Sequence, residues 1–598
     1  MTTSAAPASS PAVNPGRPRI SVWPGVFIVA ALWIFFEVLP RFELDNRLYL
    51  QVFQWGAMGL IGVFVGWWLL FSRVPWVERI ACLLLCALCG VAIWPFIHPS
   101  VEPRYAALMY VVYAIPVVLA AWVGWLLVTP ALSWPIRRVG LLLVIALAWI
   151  YPTLLRLDGT TSNLKVEVNF RWKPTPEELF LEEKKTETVA LKVPVEILTG
   201  AQPEDWPGFR GLERDGRRPG VHIATDWKEV KPREVWHRRV GPGWGSFAVV
   251  GNRLFTQEQR GDKETVVCYD ADTGKEIWEH ADHERFYEAV GGPGPRGTPT
   301  FHQGRLYTLG ATGRLNCLDP QTGNAIWTKE IVVDSNAKTQ QWGFTASPVV
   351  AQGIATVFAG GPDGKSVVGY KAADGALAWA AGTGTNSYSS THLAKLGGVE
   401  QILMATDTGL TAFDPETGRV IWQHTQPKSK DALAGGAPIA QPTVLSDSEV
   451  LYGTTNGTWR VKVSHEGNEW TTKQVWESKA IKPYFNDMVV HKGYIYGFDG
   501  SSTILFTCID LADGKMKWRE RGYRGGQVLL LPDQDLLLIL TEGNEVALVK
   551  TNPEKREELC KLPMLKGVKS WSHPVVAKGK LYLRNDEEAA CYDIADKK

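Results

Sequence analysis

Apolar and polar positions fall into two regimes along the chain. Five nearly unbroken apolar stretches, at about 22–40, 50–72, 80–97, 105–129 and 139–155, each approach the length that carries a helix across a bilayer. A cleaved signal sequence has one such stretch, so five predict an integral membrane domain over residues 20–157. From residue 236 to 598 the pattern becomes short period-two alternation interrupted by Gly turns, which predicts strands. Residues 1–19, rich in Ala, Ser and Pro and carrying Arg17 and Arg19, read as a disordered basic tail. Residues 158–235 read as a linker or stalk, with a short strand at VEVNFRW and a helix over Pro176–Lys185.

Trp23, Trp76, Trp94 and Trp134 sit at the ends of the apolar stretches and fit interfacial anchors. With a cytoplasmic N-terminus, Arg17, Arg19, Arg73, Arg79, Arg137 and Arg138 lie inside, against Arg41, Arg47 and Arg104 outside, which is the sense of the positive-inside rule. An odd number of crossings then puts everything beyond about residue 158 outside the cytoplasm, in the periplasm of a Gram-negative cell; one crossing fewer reverses the side. Glu37, Glu43 and His98 near the boundaries are open to two readings, as headgroup-level residues or as proton and quinone handles.

One motif recurs through the strand-rich part. CYDADTGKEIW ends at Trp278, CLDPQTGNAIW at Trp327, GYKAADGALAW at Trp379, AFDPETGRVIW at Trp422 and CIDLADGKMKW at Trp518, with weaker copies ending at Trp476 and around Glu558 to Cys560. From Trp236 the tryptophan intervals are 42, 49, 52, 43, 54 and 42 residues, the period of four-stranded propeller blades. Within a copy, alternation marks a strand, Asp-x-x-Thr-Gly supplies a turn whose Gly accepts positive φ, and the Trp opens the next strand with a ring to wedge between sheets. Eight upstream partners start near Ser246, Thr298, Ser347, Ser390, Gln441, Asp487, Gln527 and His573. The last unit lacks its Trp strand, and the orphan strand EVWHRRV, containing Trp236, supplies it and removes both sheet edges. The prediction is an all-β eight-bladed propeller of four-stranded antiparallel blades, preceded by an α-helical membrane domain of five transmembrane helices.

The repeat resembles the pyrroloquinoline quinone (PQQ) repeat of quinoprotein alcohol dehydrogenases and of an outer-membrane assembly lipoprotein propeller, over about 236–598. DWPGFRGLERDG, at 205–216, resembles the segment that leads into many such propellers, and five helices before an extracytoplasmic propeller resemble membrane-bound PQQ glucose dehydrogenase. The resemblance implies one of two functions. The first is a propeller that binds a small ligand or a protein partner. The second is a dehydrogenase that uses PQQ with calcium or magnesium to oxidise a sugar or alcohol and passes electrons to membrane quinone. Fold alone does not choose between them.

Propeller sites lie where the innermost strands begin, and the residues there form a candidate ring. It comprises Trp244 and Ser246, Arg296 and Thr298, Trp342 and Ser347, Tyr388 and Ser390, Gln441, Asn486 and Asp487, Gln527, Trp571 and His573. Four aromatic rings, an Arg and an Asp suit a flat anionic molecule held by stacking and charge-assisted bonds. Against this, the aromatic residues equally fill a tapered channel, and Arg296 in GGPGPRGTP equally pairs with a neighbouring carboxylate. Asp487 with Asn486 reads either as a base and metal-ligand pair or as a solvated strand-start turn; His573 is a proton acceptor or a structural residue. Two features weigh against the dehydrogenase: no two Cys are adjacent, and eight blades in about 363 residues leave little chain for loops that cover a cofactor.

Composition narrows the classes further. Sixty-three basic against 62 acidic residues give no drive toward nucleic acid, while 26 Trp and 57 Gly favour many aromatic-packed strands closed by Gly turns. Cys82, Cys86 and Cys89 follow one helix face, and Cys268, Cys317, Cys508 and Cys591 hold equivalent repeat positions too far apart to pair. GPGWG at 241–245 precedes strand-like sequence rather than a phosphate-binding helix, His280 and His283 lack a third metal ligand, and no G-x-S-x-G occurs.

Overall fold

The computed structural model describes residues 20–42, 46–101, 109–161, 166–186, 197–426, 437–500 and 504–596. The basic tail, Glu43 and Arg104 lie outside them, as does the side chain of Arg47. The chain forms two units, one of residues 1–158 and 166–173 and one of 159–165 and 174–598.

Among the described residues of the first unit four helices, rather than five, are long and apolar enough to cross a membrane: Gln51–Leu70, Trp76–Phe96, Tyr110–Val128 and Trp134–Leu154. The first apolar stretch forms a shorter helix of 16 residues, Trp23–Val38, because the chain then tightens into a 3-10 turn at Leu39–Arg41. Trp68, Trp122, Phe64 and Trp67 meet edge to face or tilted in the centre of this bundle. Glu37 pairs with Arg41 at 2.6 Å, and His98 Nδ1 lies 2.9 Å from Ser100 Oγ, so both boundary residues have local partners.

The second unit is an eight-bladed propeller. Eight four-stranded antiparallel sheets follow one another in the chain, and the last consists of Val575–Ala577, Lys580–Arg584, Glu588–Asp593 and the N-terminal strand Arg233–Arg239. That strand pairs Trp236 with Cys591, the register by which Cys268 faces Trp278, Cys317 faces Trp327 and Cys508 faces Trp518. The repeated Cys is thus a small residue opposite the Trp ring. The residue at this register varies with the blade: in blade 3 it is Gly369, whose Cβ would lie 2.5 Å from Trp379, and in blade 5 it is Arg460, opposite Trp476.

Each Trp docks on the turn of the following blade. The indole N–H of Trp236 donates to Ala271 O, Trp278 to Pro320 O, Trp327 to Ala372 O, Trp379 to Pro415 O, Trp476 to Leu511 O and Trp518 to Asn552 O, at 2.9–3.1 Å. The turn glycine lies against the ring face: at Gly323, with φ +74°, a Cβ would come within 2.5 Å of Trp278. Glycine is therefore needed for conformation and for space together. The exception is Trp422, which donates instead to Gln401 Oε1 at 2.7 Å within its own blade. Blade 5 has no repeat turn to receive it; its outer strands, Gly457–Glu466 and Glu469–Ser478, run on as a long hairpin.

Preceding the propeller, the helix Pro176–Thr186 opens with a capping box: Glu178 N–H donates to Thr175 Oγ1 (3.0 Å) and Thr175 N–H to Glu178 Oε2 (2.7 Å). Glu177 then takes both guanidinium nitrogens of Arg285 at 2.9 Å, fixing this helix to blade 1.

Candidate functional site

The ring read from the sequence separates into two layers. Ser246, Thr298, Ser347, Ser390, Gln441, Asn486, Asp487 and Gln527 form a buried hydrogen-bonded belt that ties each blade to the next. Ser246 N–H donates to Thr298 Oγ1, Thr298 N–H to Ser347 Oγ and Ser347 N–H to Ser390 Oγ, at 2.9–3.0 Å. Gln441 N–H donates to Asp487 Oδ1 (2.8 Å), Asn486 Nδ2 to Gly526 O (2.6 Å) and Gln527 Nε2 to Phe485 O and Trp571 O (2.9 and 3.1 Å). Ser246 Oγ closes the circle on His573 O at 2.6 Å. Small hydroxyl and amide side chains recur at these strand starts because each must satisfy a backbone group of its neighbour where the blades are closest.

The aromatic members form the other layer. Tyr388, Trp342, Tyr484, Phe485, Trp571 and Trp244 follow one another with ring centroids 4.7–5.9 Å apart, an array that crosses five blades. Its last two indoles are pinned: Trp244 Nε1 donates to Gly291 O (2.7 Å) and Trp571 Nε1 to Glu542 Oε1 (2.8 Å). Lys569 lies over both of these indoles, 4.3 Å from the Trp571 centroid, while its ammonium donates to Thr160 O and Val290 O. Arg296 is held in its own Gly loop, where it meets Glu288 at 3.1 Å, Gly292 O and Gly294 O, over the Phe286 ring. Burial pushes the nearby Glu264 carboxyl up to about 8 despite Arg296.

Below the array the axis is filled by the chain itself. Segment 205–218 runs along the inner strands, bridging Trp206 to Val249 and Arg217 to Leu530, and sends Arg210 and Arg214 into the centre. Arg210 donates to Met488 O (2.6 Å) and Asp215 O (2.9 Å) and lies 3.4 Å from Asp487 Oδ1; Arg214 donates to Ser347 O (3.0 Å) and Pro348 O (3.2 Å). Both arginines have left-handed backbones, φ +60° and +54°, a conformation that persists only where surrounding bonds fix it. Burial lowers the Arg214 guanidinium to about 9, with Arg210 adding to the effect, and lowers buried His392, which bonds Gln441 Nε2 at 2.8 Å, to about 3. Burial raises the Asp487 carboxyl, but Arg210, His573 at 3.2 Å and the Gln441 N–H outweigh it and hold it below its ordinary value.

The array and the belt thus bring together Trp244, Trp342, Tyr388 and Trp571, and separately Ser246, Gln441, Asn486, Asp487 and His573; Arg296 joins neither. Arg210, Arg214, His392, Tyr484, Phe485 and Lys569 were not in the sequence-derived ring. The sequence signal for the first two was GFRGLERDG itself, two arginines four apart among glycines before the first blade.

A calcium- or magnesium-dependent quinone centre needs oxygen donors free to face the ion. Asp487 has both oxygens engaged, with two guanidiniums nearby to repel a cation, and among the described residues no three His, Cys, Asp or Glu are grouped to hold a metal. Asn486 Oδ1, Gln441 Oε1 and Gln527 Oε1 are buried at the axis without a hydrogen-bond partner, so neutral oxygen donors remain there, but the carboxylate among them is held by Arg210. His280 and His283 face different carboxylates, Asp282 at 3.6 Å and Asp262 at 3.2 Å.

A family model described as outer membrane protein assembly factor BamB matches residues 228–292 and 262–520. The outer membrane protein assembly factor BamB of Moranella endobia (strain PCIT) is 23% identical over 315 residues, covering 48% of this chain and 72% of that protein. Among solved structures, quinohemoprotein alcohol dehydrogenase ADHIIG from Pseudomonas putida HK5 superposes with a TM-score of 0.50 at 13% identity, covering 67% of this chain and 83% of that one. BamB from Moraxella catarrhalis gives 0.46 at 14% identity, covering 61% and 100%.

Proposed function

Since the propeller belongs to the PQQ-repeat β-propeller family and its axis is filled from within, we propose that the chain is a membrane-anchored propeller that binds a protein partner and performs no quinone chemistry. The observation that carries this reading is the Arg210–Asp487 contact: the carboxylate that a dehydrogenase would use as base is bound to the chain's own guanidinium. The matched relative's description as an assembly factor points the same way. The partner's surface would be the aromatic array, where Trp342, Tyr484, Phe485 and Trp571 remain half-buried and Lys569 supplies charge, a composition suited to an interface hot spot.

In this reading the N-terminus is cytoplasmic and the propeller lies outside the cytoplasm, which requires the 16-residue helix Trp23–Val38 to cross together with the four longer ones, since four crossings alone would leave both on one side. A reporter fused after residue 596 that is active only outside the cytoplasm should be active; an inactive reporter would remove this orientation.

The test of function uses the full chain. A photo-crosslinking residue at Val568, exposed beside Lys569, should give one discrete protein adduct in cells, whereas the same residue at Met516, exposed on the outer strand of blade 6, should give none. Tight binding of PQQ in the presence of calcium, with reduction of a dye by sugars or alcohols, would instead establish the dehydrogenase.

A further inference from the structure

Two helical hairpins of the membrane unit reverse direction by the same device. In the first, the helix Asn46–Gly66 continues as the π-helical turn Trp67–Phe71 and reverses through 72–75 into Trp76–Ala92. In the second, Ile115–Val128 reverses through 129–133 into Trp134–Ala148. Ser72 Oγ donates to Trp68 O (2.5 Å), and Thr129 Oγ1 to Trp125 O (2.6 Å). Trp68 Nε1 donates to Arg79 O (3.0 Å), and Trp125 Nε1 to Arg137 O (2.8 Å). Arg79 then donates to Val74 O and Leu69 O, and Arg137 to Leu126 O (2.7 Å), so an arginine early in each second helix satisfies carbonyls left open at the end of the first. Trp68 and Ser72 against Trp125 and Thr129, and Trp76 and Arg79 against Trp134 and Arg137, make the likeness visible in sequence.

The turns differ in charge. The first reads SRVP and the second TPALS, so only the first carries a charged residue, Arg73. Arg73 is exposed, has φ +61°, and has no carboxylate partner among the described residues. It stands at the mouth of a groove of about 560 Å³ whose walls are Val63, Trp67, Leu70 and Phe71 and whose mouth also holds Ser21. The charge at this end is lopsided. Arg79 and Arg137 bond only to carbonyl and hydroxyl oxygens, and Glu78 is taken by Arg138 (3.1 Å) and the Trp134 indole (2.6 Å). Three guanidiniums are therefore left without a carboxylate among the described residues, and of these the exposed one, Arg73, lines the apolar groove.

We propose that this groove is a binding site for an anionic phospholipid, its acyl chain along the Val63–Phe71 wall and its phosphate on Arg73 and the Ser21 hydroxyl. A guanidinium offers a phosphate two parallel N–H bonds, and a basic residue at the membrane surface favours an anionic over a zwitterionic lipid. The second hairpin, lacking an arginine in its turn, has no such site.

The test is native mass spectrometry of the full chain extracted from vesicles of equal phosphatidylglycerol and phosphatidylcholine. Wild type should retain phosphatidylglycerol about fivefold over phosphatidylcholine. Arg73→Gln should bring the ratio near one without changing the number of lipids held, the double variant Arg138→Gln with Glu78→Gln should leave it unchanged because that pair is already neutral, and Val63→Trp should reduce both lipids. Equal retention by wild type, an unchanged ratio in Arg73→Gln, or the same fall in both arginine variants would overturn the proposal. So would displacement of the lipid by inorganic phosphate, which would make the site one for a free anion.

Discussion

The perimeter of the propeller and its axis are held by opposite chemistry. At the perimeter an indole meets a glycine turn and gives one hydrogen bond to a carbonyl, and the same contact recurs from blade to blade. At the axis the belt of hydroxyl and amide side chains recurs, but within it a carboxylate and two histidines from three different blades are buried together with two arginines brought there by a segment outside the repeat. The difference teaches that the repeat encodes how blades stack, whereas the centre is set by residues that differ from blade to blade and by two arginines from the flanking chain.

The largest test breaks the axis. Asp487→Asn leaves Arg210 and Arg214 buried without their carboxylate, and removing one partner of a buried ion pair costs about 3–5 kcal/mol. Thermal unfolding of the full chain in detergent, followed by tryptophan fluorescence, should show a large loss. The double variant Asp487→Asn with Arg210→Met should be less destabilised than the sum of the single variants, because the stranded charge has gone. Additive losses would mean that Asp487 is independent of the arginine and free for other chemistry.

At the perimeter the effect is smaller and can be split into its parts. Gly323→Ala forces a Cβ to 2.5 Å from Trp278 and keeps a φ of +74° that L residues avoid, so about 2–3 kcal/mol is expected from strain plus displaced packing. Gly353→Ala, with φ +75° and nothing within 4 Å, should cost only the conformational part, about 1 kcal/mol. Equal losses at the two sites would show that the indole contact adds nothing beyond turn geometry.

This contrast also explains what could be read from the sequence. The perimeter was legible because its chemistry is local and repeated: a Gly turn and a Trp at a period of 42 to 54 residues already specify the sheets, their number and the closing strand with Trp236. The aromatic array was half legible, since Trp244, Trp342, Tyr388 and Trp571 lie at strand starts, while Tyr484 and Phe485, just before Asn486, were passed over for their polar neighbours. The role of Asp487 was not legible, and that of Arg296 was legible only as one of two readings, a pair with a neighbouring carboxylate, here Glu288. Each depends on a partner that alternation does not reveal, Arg210 from 277 residues away for Asp487 and a loop folded back on itself for Arg296. The first membrane helix fell short because apolar composition marks a stretch without marking where its helix stops.

The smallest effect separates the two regions by the sign of their pH dependence. At the axis His392 is neutral when folded, burial having lowered its pKa from 6.5 to about 3. Below pH 6.5 the unfolded chain takes up a proton that the folded chain does not, so stability falls as pH falls through that window. At the outer edge of blade 8, His237 Nε2 lies 2.7 Å from Glu588 Oε2, and that hydrogen bond, opposed by burial, raises the imidazole above 6.5. Its contribution is complete below the unfolded value and disappears as pH rises through the folded one. Between pH 7.5 and 6, His392→Asn should therefore flatten an acid-side loss and His237→Gln an alkaline-side loss. Because His237 is partly exposed, its change should be the lesser, on the order of 1 °C in Tm. If both variants flattened the same side of the profile, the axis and the perimeter would not be titrating as separate chemistries.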